Sequence, residues 1–294
     1  MRLDLSSPRP VKFVVKGAAI MWIRIQNLLG RKPVTGAAPL AVSLTSYGER
    51  LATVGHTIES IARGTVRPKR LILWVDDPAF EIEDYPMLAR LERRGLEILR
   101  CEDFGPHKKN YAYAREFADS GLPLVTADDD ILYPGRWFEG LARHHLSNPG
   151  SFAGYRAHRV SLCAGGQLAP YREWRRAEPG DVGHDVFLTG GAGAVFPARL
   201  LRALRDAGES FAEVCPRADD IWINVIASRI GAEAQLLPSS HLLALSYPRS
   251  QRNALHHSNV DGGGNDRQLA ASLTETDRAR LVKAAALRLA GDRA

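Results

Sequence analysis

The sequence predicts an α/β protein built on a layered sheet whose first strands run parallel. Short apolar runs alternate with segments of helix-like apolar spacing through the first half of the chain, which is typical of βαβ units. One apolar run ends abruptly in three carboxylates, Asp128, Asp129 and Asp130. Hydrophobic residues make up 45% and charged residues 24% of the 294 residues, so a sizeable core can form.

The elements follow a linker at residues 31–39, which contains proline and glycine. The predicted strands are residues 41–45, 70–75, 96–100 and 122–126, and the predicted helices are residues 51–63, 87–94, 108–118 and 136–145. The second half is less regular, with strands predicted at residues 151–160 and 190–196 and helices at residues 221–230 and 272–289.

The net charge of +6 points to nucleic acid, an anionic membrane surface or a phosphorylated substrate as partner. We expect no nucleic-acid partner, because the sequence carries no nucleic-acid-binding motif and no basic stripe interleaved with aromatic residues. The three cysteines show no CxxC spacing, which supports neither a zinc site nor a disulfide framework. A reducing cytoplasm is the expected location.

Residues 11–29 are apolar but interrupted by Lys12, Lys16 and Arg24, so they are not expected to span a membrane. They also lack the small-residue cleavage site of a secretory signal. Drawn as a helix, the segment is basic and polar on one side and apolar on the other, the apolar residues being Val14, Ala18, Met21, Ile25, Leu28 and Leu29. Three partners remain open: the inner, anionic face of the plasma membrane, contacted peripherally, the chain's own domain, or a second subunit.

The carboxylate run carries the main functional prediction. Adjacent negative charges repel one another, whereas Mg²⁺ and Mn²⁺ prefer carboxylate oxygens and keep positions open for phosphate. The carboxyl ends of strands are where open α/β sheets bind ligands. We therefore expect Asp130 and Asp128 to hold a divalent metal that grips a diphosphate, with Asp129 beside them. An acidic loop that caps the next helix is the alternative.

Four segments in order, residues 42–50, 58–61, 71–74 and 126–130, resemble nucleotide-sugar glycosyltransferases of the GT-A fold. The resemblance covers residues 40–230 and is closest to the family 2-like enzymes of bacterial surface polysaccharide synthesis. It implies a Rossmann-like layered sheet with helices on both faces. The implied donor is a nucleotide sugar, with a UDP-sugar favoured, and the implied acceptor is a glycan or a lipid-linked molecule.

On this interpretation residues 1–37 form a basic N-terminal segment and linker, residues 38–250 the glycosyltransferase domain, and residues 251–294 a C-terminal loop and helix. The resemblance also implies that the end of the first strand faces the nucleotide, through Thr45, Ser46, Tyr47 and Arg50. Tyr47 would stack on the base and Asp76 would accept a hydrogen bond from a uracil-type imide. Ordinary packing for Tyr47 and a turn role for Asp76 are the alternatives.

Lys108 and Lys109 would neutralise the diphosphate as point charges, unless they form a solvated basic turn. Gly190 and Gly191 belong to a glycine-rich segment, and in the resembled family such a strand lies beside the sugar and the acceptor. Glycines in a strand cost stability unless a ligand or backbone approaches closely. A bulged strand is the alternative, and the pattern matches neither a P-loop nor a dinucleotide fingerprint.

An acidic residue at this place serves as general base in the resembled family, which makes Asp220 the first candidate here and Asp219 the second. It would take the proton of the acceptor hydroxyl, and a single displacement with inversion would follow. A helix cap is the simpler interpretation. A late histidine is the third metal ligand in some enzymes of this fold, which makes His256 a candidate beside the interpretation as an ordinary surface histidine.

Two other functions share this pattern. A nucleotidyltransferase has the same layered sheet but usually carries a glycine-rich, basic loop after the first strand, where residues 46–50 contain one glycine. A non-catalytic polysaccharide- or membrane-binding protein could retain the fold without the chemistry.

Overall fold

The computed structural model describes residues 9–238, 245–246 and 263–291. The helices are α1 Arg9–Leu29, α2 Leu51–Ala62, α3 Pro86–Glu92, α4 Tyr113–Phe117, α5 Trp137–Ser147, α6 Ala198–Asp206, α7 Phe211–Val214, α8 Asp219–Arg229, α9 Gly264–Ser272 and α10 Glu275–Gly291. The strands are β1 Ala38–Thr45, β2 Pro68–Val75, β3 Leu96–Arg100, β4 Leu124–Thr126, β5 Ile131–Leu132, β6 Phe152–Gly154, β7 Ala157–Arg159, β8 Arg175–Arg176, β9 Val182–Gly183, β10 Val186–Leu188, β11 Ala194–Phe196, β12 Ala234–Leu236 and β13 Leu245–Ser246.

The main sheet has the strand order β3-β2-β1-β4-β11-β6-β12-β9. Strands β3, β2, β1 and β4 are parallel to one another, whereas β11 is antiparallel to both β4 and β6. Val42 of β1 pairs with Leu71 of β2 and Val125 of β4. The carboxyl ends of these three strands therefore meet at one edge of the sheet, where Thr45 ends β1 and Asp76 and Asp128 follow β2 and β4.

Apolar side chains pack on both faces of this sheet, because successive residues of a strand point to opposite faces. In β1, Leu40, Val42 and Leu44 belong to one buried cluster, which α2, α3 and α5 cover. Ala41 belongs to the other, which receives side chains of α4, α6, α8, α9 and α10. The predicted α/β layered sheet with helices on both faces is thereby confirmed.

Residues 105–117 form a helical segment in three parts, and the helix predicted at residues 108–118 falls on the second and third of them. A 3₁₀ turn at Gly105–His107 leads into a π-helical turn at Lys108–Ala112, and α4 follows. The hydroxyl of Ser43 in β1 donates a hydrogen bond to the carbonyl of Lys109 (2.6 Å) and accepts one from the indole of Trp74 (2.9 Å). These bonds fix the π turn against the strand ends, and π turns of this kind are frequent at functional sites.

The glycine-rich segment is only partly a strand, contrary to the prediction for residues 190–196. Gly190–Ala192 form a 3₁₀ turn and β11 begins at Ala194. Gly193 has a φ of +96°, and a Cβ there would lie 2.6 Å from the Trp137 ring. The chain thus turns sharply into β11 at a position that only glycine can occupy without strain.

Helix α1 contacts α2 and α3 through its polar side. Asn27 is fully buried, donates to Glu59 (3.1 Å) and accepts a hydrogen bond from Arg90 (2.6 Å). Glu59 is also buried, and it forms an ion pair with Arg94 (2.6 Å). A buried polar network therefore joins α1, α2 and the end of α3.

We expect Glu59→Ala to lower the free energy of unfolding by about 3–5 kcal/mol, because it leaves the Arg94 guanidinium buried without its counter-charge. Urea denaturation followed by circular dichroism measures this loss. The matched control is Arg205→Ala, which breaks an exposed pair with Asp119 and should cost less than about 1 kcal/mol. Equal losses in the two variants would contradict the assignment.

Candidate functional site

A cavity of about 520 Å³ opens at the carboxyl ends of β1, β2 and β4. It brings together most of the residues that the sequence singled out: its lining includes Thr45, Tyr47, Arg50, Asp76, Lys108, Lys109, Asp128, Asp129, Asp130 and Gly191. These residues come from five separate stretches of chain. Their convergence makes this cavity the candidate functional site.

The three consecutive carboxylates have different environments. Asp129 is buried and accepts hydrogen bonds from the hydroxyl of Ser46 (2.8 Å) and the guanidinium of Arg50 (2.7 Å). Burial raises the pKa of Asp129, and the positive charge of Arg50 opposes that rise. Asp128 and Asp130 remain partly exposed, at 24% and 17% of their side chains. They are the two carboxylates of the run that a ligand in the cavity can reach.

Asp128 and Asp130 fit a hard divalent cation, since Mg²⁺ is commonly held by one or two carboxylates together with phosphate and water oxygens. Among the side chains that the structure describes, no group of three or more His, Cys, Asp or Glu could hold a metal ion by itself. His256, the predicted third ligand, lies outside the described residues.

The ammonium of Lys109 lies between two acidic groups. Its Nζ atom is 2.8 Å from Asp128 and 3.6 Å from Asp219. Burial lowers the pKa of Lys109, but the charges of Asp128, Asp219 and Asp220 outweigh burial and hold it well above its usual value. Lys109 lines both the main cavity and a smaller one behind it, so its charge links the two.

Asp219 and Asp220 line that smaller cavity rather than the main one. Asp219 is buried and accepts a hydrogen bond from Asn110 (3.2 Å). Asp220 accepts one from the backbone N–H of Gly190 (2.7 Å). Burial, together with the charge of Asp219, raises the pKa of Asp220 to about 7. Asp220 can therefore take up and release a proton near neutral pH.

Lys108 lies at the end of the cavity that Asp76 and Tyr47 line. Its ammonium contacts Asp76 (2.5 Å) and Asp103 (2.8 Å). Burial lowers the pKa of Lys108, but hydrogen bonds to Asp103 and Asp76 raise it by more, so the pKa lies above its usual value. Tyr47 is half exposed, with the Lys108 ammonium and the Arg50 guanidinium each 5.7 Å from its ring centre. An exposed aromatic ring beside a hydrogen-bonding carboxylate is an arrangement that suits a planar base.

The glycines of the 190–191 turn allow close approach of charged groups. A Cβ on Gly190 would lie 3.0 Å from the Asp220 carboxylate and 3.3 Å from the Lys109 ammonium. A Cβ on Gly191 would lie 3.0 Å from the Arg156 guanidinium. Side chains here would press on the charged groups between the two cavities.

Arg156, which is not among the residues predicted from the sequence, follows β6 and lines the main cavity. Its side chain is exposed, and among the described residues its guanidinium has no hydrogen-bond or ion-pair partner. An unpaired guanidinium beside two accessible carboxylates suits an anionic ligand that carries its own cation. A single arginine after an apolar run gives no periodic or motif signal, and only the packing of β6 beside β11 brings it to the site.

No protein-family model matches the sequence, and no curated protein matches it. Solved structures similar to the chain include 4-diphosphocytidyl-2C-methyl-D-erythritol synthase, at 11% identity and a TM-score of 0.43, covering 67% of this chain and 88% of the other. GalNAc-T7 with UDP, GalNAc and Mn²⁺ has 12% identity and a TM-score of 0.46, covering 67% of this chain and 41% of the other.

A third similar structure is the mannosyltransferase PcManGT from Pyrobaculum calidifontis in complex with GDP-Man and Mn²⁺. It has 14% identity and a TM-score of 0.46, covering 78% of this chain and 65% of the other. This chain therefore spans less than two thirds of the length of both glycosyltransferase structures.

We expect Lys109→Met to lower the free energy of unfolding by about 3–5 kcal/mol at pH 8, because Asp128 and Asp219 lose their buried counter-charge. The loss should shrink at pH 5, where Asp220 is protonated and the repulsion is weaker. Urea titrations at the two pH values measure it. Lys69→Met, at an exposed position in β2, is the control, and a loss at Lys109 no larger than at Lys69 would refute the electrostatic role.

Proposed function

We propose that this chain is a metal-dependent glycosyltransferase that moves a sugar from a nucleotide-sugar donor to a hydroxyl of a glycan or lipid-linked acceptor, in bacterial surface polysaccharide synthesis. One observation carries the proposal. A cavity at the strand ends combines two accessible carboxylates and the exposed guanidinium of Arg156 with a neighbouring carboxylate, that of Asp220, whose pKa is about 7. Such a site can bind a diphosphate and accept a proton next to it.

The nucleotide would lie over the ends of β1 and β2. Tyr47 offers an exposed ring for stacking on the base, and stacking on an aromatic face does not depend on which base is present. Asp76, which Lys108 orients, would accept the imide hydrogen of a uracil. This acceptor favours a UDP-sugar, with Thr45 and Arg50 completing the wall.

The diphosphate would lie between Asp130 and Arg156. Asp128 and Asp130 would hold the divalent cation, which when bound would supply positive charge to the phosphate oxygens. The Arg156 guanidinium would donate two hydrogen bonds to a phosphate in the fork geometry that suits it. These charges act where negative charge grows as the bond between the sugar and the diphosphate breaks.

Asp220 would act as the general base. It would accept the proton of the acceptor hydroxyl as that oxygen attacks the anomeric carbon, while the bonding electrons leave with the nucleoside diphosphate. A pKa near the working pH serves this role, and attack from the side opposite the leaving group would invert the anomeric centre. Asp219, already held by Asn110 and Lys109, would act through its charge on Asp220.

We expect UDP to bind in calorimetric titration when Mn²⁺ is present, and the binding to be lost in Asp130→Asn. The matched control is Asp84→Asn, at an exposed position in the turn before α3, which should bind like the unaltered chain. If GDP or CDP bound and UDP did not, the donor would carry that nucleotide instead of UDP. Metal-independent binding that survives Asp128→Asn and Asp130→Asn would favour a non-catalytic protein, and pyrophosphate release from a nucleoside triphosphate would favour a nucleotidyltransferase.

Arg156→Ala should weaken UDP binding roughly 10- to 100-fold, because a hydrogen bond to a charged group contributes about 1.5–3 kcal/mol. Binding of the free nucleoside uridine, which lacks phosphate, should not change. An equal effect on UDP and uridine would place Arg156 away from the diphosphate.

Transfer or hydrolysis of the donor should rise with pH and level off above about pH 7, since the deprotonated form of Asp220 is the active one and its pKa is about 7. Asp220→Asn should reduce turnover by about 10²–10⁴-fold and remove this limb of the profile, with UDP affinity retained. Asp219→Asn is the comparison. A pH limb that persists in Asp220→Asn would assign the base elsewhere.

A further inference from the structure

We propose that the outward side of α1 docks the protein on an anionic lipid surface. This inference goes beyond the proposed transfer reaction and rests on a different part of the molecule. The described helices include none with the length and hydrophobicity of a transmembrane segment, so the proposed contact is with the bilayer surface.

The first observation is an apolar stripe that faces outward. Five large side chains recur at helical spacing on one side of α1 and are between 40% and 70% exposed: Met21, Trp22, Ile25, Leu28 and Leu29. Ala18, on the same side one turn earlier, is exposed as well. Contiguous exposed apolar side chains of this size mark an interaction site rather than an ordinary surface.

The second observation is that the helix is anchored by its other side. Asn27 is buried in hydrogen bonds with Glu59 and Arg90, Arg24 donates to His56 (3.1 Å), and Ile23 packs inward. An amphipathic helix that served only the fold would bury its apolar stripe. Here polar contacts hold the helix, and the apolar stripe remains available to a partner.

Charge identifies that partner as lipid. Residues 9–32 contain no Asp or Glu, and the exposed cations Arg31 and Lys32 directly follow the apolar stripe. The guanidinium of Arg63 also lies 5.7 Å from the centre of the Trp22 ring. A second copy of the chain would bring these like charges together, whereas anionic headgroups attract them. Tryptophan beside cations at the edge of an apolar stripe suits the interface between headgroups and acyl chains.

The test is sedimentation of the full chain with vesicles. We expect binding to vesicles of phosphatidylcholine with about 30% phosphatidylglycerol and weak binding to phosphatidylcholine alone, with the difference reduced at ~0.5 M salt. The double variant Trp22→Ser/Leu28→Ser should bind at least about tenfold more weakly, since two buried apolar side chains would be lost. Its control is Leu146→Ser/Leu287→Ser, which removes two equally exposed leucines (61% and 64%) on other helices and should leave binding unchanged.

All four substituted side chains are at least half exposed, so both double variants should retain the circular dichroism spectrum and thermal midpoint of the unaltered chain. The proposal is overturned if the chain does not sediment with anionic vesicles, or if the α1 variant and its control sediment equally. It is also overturned if light scattering shows a dimer that the α1 variant separates into monomers while vesicles leave the chain in solution, because the stripe would then be a subunit interface.

Discussion

The buried carboxylate of Asp129 is the contact on which the candidate site depends. It joins Ser46 and Arg50, at the end of β1, to the loop that follows β4. A buried carboxylate is tolerated only when it is paired and hydrogen-bonded, and these two partners meet that requirement. Because Asp129 points inward, its neighbours Asp128 and Asp130 remain accessible from the cavity. The contacts of Asp129 thus hold Asp128 and Asp130 in positions where a ligand in the cavity can reach them.

A second constraint is the balance of charge around Lys109. One ammonium serves Asp128 at the main cavity and Asp219 beside the smaller one, so the two regions are electrostatically coupled. Asp219 is held by Lys109 and Asn110, whereas Asp220 has a backbone N–H as its hydrogen-bond partner. Two adjacent carboxylates in one buried region cannot both ionise freely, and the less well-paired Asp220 has the raised pKa. The same contacts that stabilise the cluster therefore make one member a suitable proton acceptor.

Sequence reasoning predicted what depends on local pattern and missed what depends on distant packing. Strand β3 lies where alternation placed it, at residues 96–100, and the carboxylate run reached the predicted edge because parallel strands align their carboxyl ends. The π turn at Lys108–Ala112 escaped prediction because a hydroxyl in β1 helps to hold it. Arg156 escaped because its position depends on the pairing of β6 with β11. The strand predicted over residues 190–196 begins only at Ala194, because the glycines before it form a turn.

Helix α1 shows the same division between local and distant determinants. The periodicity of the sequence predicts a polar side and an apolar side. Glu59 and Arg94 decide which of them faces the domain, because these buried charged groups need polar partners. Asn27 is such a partner, since it donates a hydrogen bond to Glu59. A rotation of the helix that buried Leu28 instead would remove this hydrogen bond from the buried Glu59, at a cost of about 1–3 kcal/mol. This cost is of the same order as the gain from burying one leucine, about 1.5–3 kcal/mol. In the structure the polar side faces the domain and the apolar stripe faces outward. An external apolar surface can then cover the stripe without disturbing the contacts that hold α1 in place.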